Sequence, residues 1–330
     1  MSGLVVVGSG PAGLSAARAF REAGGRGAVR IVTHDAYPPY NRPPLSKDFL
    51  RGESGPDDLP LEDASFYTDQ DIELLLATEV VGSAFIGCEA SASLAARGVE
   101  VTMVSTEELP QQERLGHDVA ERIASWLHDS GVEVVGGRSV EAVEDGRTVR
   151  LDDGSRRSGD LVLVATGAVP QGHLAEEAGL PVSGGRVLVD ERMRTGTDGV
   201  LVAGDIACAF NPTAGRRLAV EHWGEALRMG EVAGTTAAGG DDGWTDVPGF
   251  WSEIGERVVK YAAWGDGYDE VRFAEHGDGA FTAWYGRDGV LVGVLTHEAD
   301  DDYERGQALV GEGRDIGVCL RPSSTNSSPS

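Results

Sequence analysis

Near its start the chain reads Gly8-Ser9-Gly10-Pro11-Ala12-Gly13, the spacing G-x-G-x-x-G. Glycines placed in this way let a backbone turn tightly, let it approach a pyrophosphate, and let the following helix pack closely on the strand before it. A helix that begins at Pro11 presents free amides and the positive end of its dipole to such phosphates. Asp35 follows twenty-two residues after Gly13, where a carboxylate can accept hydrogen bonds from a ribose diol. A second glycine turn, Gly82-Ser83-Ala84-Phe85-Ile86-Gly87, runs into Cys88 and Glu89. Its middle position is alanine, whose methyl crowds a pyrophosphate and weakens its binding. Lysine is almost absent: the chain has 26 arginines and two lysines, Lys47 and Lys260. Where arginine is the rule, Lys47 marks either a site that needs a compact point charge or an ordinary surface cation.

The elements that position these residues follow from apolar runs and breakers. Leu4–Val7 reads as a buried parallel strand, residues 11–24 as a helix closed by Gly24-Gly25, and Val29–Thr33 as the next strand, one β-α-β unit. Pro38, Pro39, Pro43 and Pro44 interrupt regular structure before one or two helical turns over Leu45–Leu50. Ile72–Leu76 is a third strand. A second unit starts near residue 80 and carries a helix to about Arg97 and a strand over Val99–Ser105. An amphipathic helix over residues 113–129 and a strand at Val132–Val135 follow. Residues 138–152 form a hairpin turning at Asp145-Gly146. Leu161–Ala165 and Leu201–Ala203 read as buried strands, and residues 218–238 as a helix. Beyond Pro248, four alternating strands joined by Gly-Asp and Asp-Gly turns predict an antiparallel sheet, closed by a helix over 299–311 and a disordered tail.

Three hundred and thirty residues suffice for two or three domains with full cores. The net charge of −26 repels a phosphate backbone and an anionic bilayer, which excludes general nucleic-acid and membrane binding. No apolar stretch approaches 18 residues, and Leu4–Val7 is too short for a signal segment, so the expected location is cytoplasmic. Cys88, Cys208 and Cys319 show no metal-ligand spacing and read as buried or partly buried thiols; no metal site is expected.

Further segments carry a resemblance. Residues 38–47, PPYNRPPLSK, resemble the segment after the second strand of the FAD-dependent ferredoxin and rubredoxin reductases. Residues 195–205, TGTDGVLVAGD, resemble their second FAD motif, and the runs EHW at 221–223 and FWS at 250–252 also match. The resemblance implies an oxidoreductase that passes hydride from NADH or NADPH to FAD, and then electrons to a ferredoxin-like iron–sulfur partner of a P450 or dioxygenase system. It implies FAD contacts from Gly8, Gly10, Pro11, Ala12, Gly13, Asp35, Arg42, Lys47, Gly204, Asp205, Glu221, His222, Trp223 and Trp251. Trp251 shields the flavin or merely packs. NAD(P) contacts would come from Gly82, Phe85, Ile86, Gly87, Ala165, Thr166 and Gly167. Lys47 and Glu89 would form the pair beside the reacting edge of the flavin; the alternative is an exposed helix glutamate. No cysteine stands near Leu45-Ser46-Lys47, so no flavin–thiol relay is expected. Glu107 and Glu108 after the strand that ends at Ser105 disfavour a 2′-phosphate and lean the choice to NADH.

The chain departs from that family between residues 71 and 87. It runs from Glu79-Val80-Val81 directly into the second glycine turn and has a single Ala-Thr-Gly, at Ala165–Gly167. A β-meander of the FAD domain and one linker are therefore expected to be missing. The strand around Leu74–Val81 then serves two sheets or is cut in two, and newly exposed strand edges need cover. The expected architecture is α/β: two Rossmann-like three-layer nucleotide-binding domains plus a C-terminal α+β domain with an antiparallel sheet. The FAD domain would take residues 1–78 and 185–247, the NAD(P) domain 79–184 and the C-terminal domain 248–320, with a tail at 321–330, in a monomer or dimer. Two other readings stay open: an FAD-binding tailoring enzyme without an electron-transfer partner, and a degenerate, non-catalytic chain.

Overall fold

A computed structural model of the chain describes residues 3–33, 35, 37–70, 72–75, 85–160, 162–167 and 169–319. It divides into two compact units, Met1–Thr245 with Ser252–Arg257, and Asp246–Trp251 with Val258–Ser330. The architecture is mixed α/β with several separate sheets.

The first unit opens with β1 (Leu4–Val7), α1 (Pro11–Glu22) and β2 (Val29–Val32). Proline at the first turn of α1 and the turn at Ala23-Gly24 bound that helix as the sequence predicts. The proline-rich stretch holds two short helices, α2 (Asp48–Arg51) and α3 (Ala64–Asp69), and leads to β3 (Ile72–Leu75). β1, β2 and β3 form a parallel sheet in which Leu4 faces Val29 and Val29 faces Ile72. Leu14, Ala17 and Phe20 of α1 pack with Val29, Ile31 and Ile72 on one face of it.

The second glycine turn ends in α4 (Phe85–Ala96), which precedes the parallel pair β4 (Val101–Val104) and β5 (Val132–Val135). The amphipathic stretch between them is broken at Gly116 (φ 85°) into α5 (Gln112–Leu115) and α6 (His117–Asp129). An antiparallel sheet of β6 (Val140–Glu144), β7 (Thr148–Leu151) and β8 (Arg156–Ser158) follows, and Asp145 and Gly146 both take positive φ at its first turn. Then come α7 (His173–Glu177), β9 (Val182–Ser183), β10 (Arg186–Val189), β11 (Ala207–Asn211), β12 (Arg216–Ala219) and α8 (Trp223–Ala237). β12, β11, β10 and β9 form a mixed sheet in that order.

α8 lies along α1 at very short range. A β-carbon added to Gly230 would stand 2.2 Å from the carbonyl oxygen of Ala12, and one added to Gly234 would stand 2.1 Å from that of Ala16. Glycines four apart on α8 thus meet alanines four apart on α1, and no larger residue fits.

Three strand readings need correction. β1 is a strand but only half buried: among the described residues it pairs on one edge alone, with β2, and Val5 and Val7 are 63% and 70% exposed. Residues 162–165 form no strand, and Leu163 and Val164 are exposed. Leu201–Ala203 contributes only an isolated bridge, Leu201 to Arg194. In each case an apolar run reads as a buried strand, but burial needs cover on both faces, and among the described residues β1 has one paired edge while residues 162–165 and 201–203 belong to no extended strand. Leu76 and the expected strand around Val80-Val81 lie outside the described residues.

Beyond Pro248 the antiparallel expectation holds. β13 (Gly249–Ile254), β14 (Arg257–Ala263), β17 (Val290–His297), β16 (Phe281–Arg287) and β15 (Glu270–Glu275) form one five-stranded sheet in that order. α9 (Asp300–Gly311) follows, and Trp284, Leu291, Val294, Val310 and Ile316 share its core. Among the described residues no helix is long and apolar enough to cross a membrane.

Candidate functional site

The turn between β1 and α1 is built for close approach. Gly8 takes a φ of 110°, which side chains rarely adopt, and β-carbons added to Gly8 or Gly10 would meet no atom within 4 Å. Gly13 differs: its β-carbon would stand 2.2 Å from the carbonyl oxygen of Gly8, so the third glycine is required by packing. Pro11 occupies the first helical position, Gly10 caps the helix without a side-chain hydrogen bond, and no acid lies in the first turn. The leading amides of α1 therefore face open space with no competing carboxylate, and this arrangement suits the pyrophosphate of a dinucleotide.

Asp35 is half-buried beyond β2, its amide donating to Thr33 Oγ1 at 3.1 Å. Arg42 stacks its guanidinium 5.3 Å from the Tyr40 ring and approaches Asp35 Oδ2 at 3.5 Å. The second motif comes to the same place. A β-carbon on Gly204 would stand 3.0 Å from that of Ala12. Asp205 follows; its side chain still reaches solvent, yet partial burial, with the charge of Glu221 adding, raises its carboxyl above the usual aspartate range, while Arg186 and Arg42 oppose that shift. Glu221 is ion-paired with Arg186, whose Nε donates to the Asp205 carbonyl at 3.2 Å. His222 caps α8 and Trp223 is its first residue, both half-buried.

Lys47 and Glu89 meet. Lys47 Nζ lies 3.4 Å from Glu89 Oε1, and the two residues are only 6% and 5% exposed. The exposed-glutamate and surface-lysine alternatives are therefore set aside. Glu89 also accepts from Ser46 Oγ at 2.6 Å, Ser252 Oγ at 2.8 Å and the Glu253 amide at 3.4 Å. Ser93, one turn further along α4, donates to the Ser46 carbonyl at 2.9 Å, and Arg97, another turn on, donates to the Leu50 carbonyl at 2.9 Å. One stripe of α4, continued by Arg97 just past its end, thus fastens the segment that carries Lys47. Sequence reasoning missed Ser46, Ser93 and Ser252 as members of this network. Ser46 and Ser252 stand inside PPYNRPPLSK and FWS, but a hydrogen bond between residues 163 positions apart leaves no local signal.

The other candidates are placed as follows. Gly82 and Ala84 lie outside the described residues. Phe85 lies under the Arg114 guanidinium, 5.6 Å from its ring centre. Ile86 is partly exposed, and a β-carbon on Gly87 would stand 3.7 Å from that of Ala165. The start of α4 therefore adjoins Ala165, with Thr166 and Gly167 exposed beside it. Beyond β4, Glu107 accepts from the Glu113 amide at 3.2 Å, and Gly136 fits against the Glu108 carbonyl. Trp251 belongs to the second unit and is 43% exposed. Burial, with Glu89 and Glu107 adding, pushes the Cys88 thiol up to about 12, so it stays protonated and unreactive at neutral pH.

The family model for pyridine nucleotide-disulphide oxidoreductases matches residues 2–81 and 61–230. The chain is 25% identical to a rubredoxin-NAD(+) reductase of Pseudomonas putida, over 76% of this chain and 84% of that protein. It is 26% identical to the ferredoxin–NAD(+) reductase component of an anthranilate 1,2-dioxygenase system of Burkholderia cepacia, over 96% and 93%. Its fold is similar to the reductase in the crystal structure of a covalent putidaredoxin reductase–putidaredoxin complex, with a TM-score of 0.88 at 22% identity, covering 98% of this chain and 96% of that one.

Proposed function

Because the chain belongs to the pyridine nucleotide-disulphide oxidoreductase family, we propose that it is a flavoprotein reductase that takes hydride from a reduced nicotinamide onto FAD and passes the electrons to a ferredoxin-like iron–sulfur protein. The observation that supports this reading is the meeting of Gly204, the residue before Asp205, with Ala12 of α1. Relatives that act on rubredoxin or serve a dioxygenase through a ferredoxin support the class of acceptor.

Bound FAD supplies the redox chemistry, accepting two electrons and releasing them singly. The chain's own residues hold and tune it. Gly10, Ala12 and Gly13 receive the pyrophosphate on backbone amides, Gly8 turns the chain with its own amide donating to the Val32 carbonyl at 2.7 Å, and Pro11, which has no N–H, sets the first turn of α1 beside it. Asp35 accepts from the adenosine ribose, and Arg42 balances negative charge there. Asp205 accepts from the ribityl hydroxyls, and Glu221, His222 and Trp223 line the ring end. Lys47, its ammonium steadied by Glu89, sets positive charge beside the reacting edge of the flavin. Phe85, Ile86, Gly87, Ala165, Thr166 and Gly167 receive the nicotinamide nucleotide; Gly82, expected to share this role, lies outside the described residues. The carboxylates Glu107 and Glu108 favour NADH over NADPH. In this reading residues 1–78 and 185–247 are the FAD portion, 79–184 the NAD(P) portion and 248–320 the third domain.

The missing internal segment is part of the proposal. Alignment with the dioxygenase reductase runs over 391 residues while covering 96% of a 330-residue chain, about 317 residues, so roughly seventy positions have no counterpart here. The family model matches residues 61–81 twice, once from each side. Among the described residues β1 has no partner on its second edge, and this and the exposed Val5 and Val7 agree with the loss of a covering layer.

A reconstitution assay tests the function. Protein loaded with FAD should reduce cytochrome c from NADH only when a ferredoxin of a dioxygenase system is added. Reduction that is equally fast without ferredoxin would argue for a flavin enzyme with no such partner.

A further inference from the structure

Glu89 makes its shortest contacts with serines. Ser46 Oγ reaches Oε2 at 2.6 Å and Ser252 Oγ reaches Oε1 at 2.8 Å, while Lys47 Nζ stands back at 3.4 Å from Oε1. Ser252 is fully buried and Ser46 nearly so. Hydrogen bonds to an ionised carboxylate are stronger and more directional than neutral ones. The two hydroxyls, one on each oxygen, therefore fix where the carboxylate lies, and Lys47 takes its position from the carboxylate. Ser93 holds the Ser46 backbone from the same face of α4, so Ser46 is preset. Ser252 comes from β13, which makes it the long-range member.

We propose that Ser46 and Ser252 are positioning residues that act through Glu89 to place the Lys47 ammonium for hydride transfer. This rests on the reading of Lys47 as the flavin-side cation. The chain allows a direct readout because it has two lysines, and the second, Lys260, is held by Asp300 at 2.7 Å in the second unit and serves as an internal control.

The test uses full-length protein labelled with ¹³C at the lysine ε-carbon, with and without FAD. Ser252→Ala and Ser46→Ala should each shift the Lys47 signal and leave that of Lys260 in place. With FAD bound, each should slow the limiting rate of flavin reduction by about tenfold while the apparent Kd for NADH stays unchanged. Both effects should vanish when Glu89 is already glutamine, because the serines act only through the carboxylate. If Ser252→Ala fails to fold, Ser46→Ala and the volume-preserving Ser252→Cys make the same comparison. An unmoved Lys47 signal with only a lower melting temperature would overturn the proposal, as would effects of equal size in the Glu89→Gln background. The lysine signals are read in the FAD-free protein too, so a wild-type chain that takes up no FAD would count against the proposed function and would be told apart from a failure of this inference.

Discussion

Gly204 lies against Ala12 so closely that a β-carbon on the glycine would stand 3.0 Å from that of the alanine. Residues nearly two hundred positions apart thereby form one wall. Asp205 directly follows the glycine that makes this contact, and the proposed dinucleotide site depends on that close approach.

The first and third needs of the glycine fingerprint separate experimentally. Gly10 has ordinary extended backbone angles and open space around it, so Gly10→Ala should leave the melting temperature of the FAD-free protein unchanged and weaken FAD binding at least tenfold. Gly13→Ala drives a methyl into the Gly8 carbonyl and should destabilise the FAD-free protein by about 1–3 kcal/mol. Denaturant unfolding and fluorescence titration with FAD distinguish the two.

Asp205 gives a pH signature. Its carboxyl is raised in the folded protein, so the folded state holds the proton more tightly than the unfolded chain. Stability is lost as pH rises through the window from the ordinary aspartate value, about 3.9, to the raised one. Asp205→Asn should therefore stabilise the FAD-free protein at neutral pH and give no gain below that window, while FAD affinity falls. Melting temperatures against pH check the first outcome and a binding titration the second.

The two members of the buried pair should differ in cost. Glu89→Ala removes the buried carboxylate that faces the Lys47 ammonium and accepts from two serine hydroxyls, and should cost about 3–5 kcal/mol. Lys47→Met leaves Glu89 with its serine and amide donors and should cost less, about 1–3 kcal/mol. Urea unfolding of both variants measures the difference, and a reversed order would contradict the network described.

How much of this was legible beforehand depended on distance along the chain. The β1-turn-α1 unit, the Asp145-Gly146 hairpin turn and the C-terminal sheet follow from spacing within a few residues. The Lys47–Glu89 pair was within reach because both residues sit in motifs. Ser252 was not, because its bond to Glu89 links segments 163 positions apart. Nor was the exposure of Val5, Val7 and Leu163, since an apolar run records what a strand could bury and says nothing of whether a covering layer exists.

That exposed face makes a further prediction. Val5→Thr and Val7→Thr should change stability by about 0.5 kcal/mol or less, because the side chains bury little. They should also reduce binding of a hydrophobic dye. A large loss of stability would show that the face is covered in solution.

The absorbance spectrum of the purified protein, recorded without oxygen before and after NADH, tests the central claim most directly. The account predicts the visible bands of an oxidised flavin, one FAD per chain, bleached by stoichiometric NADH. A colourless protein that takes up no added FAD would contradict it.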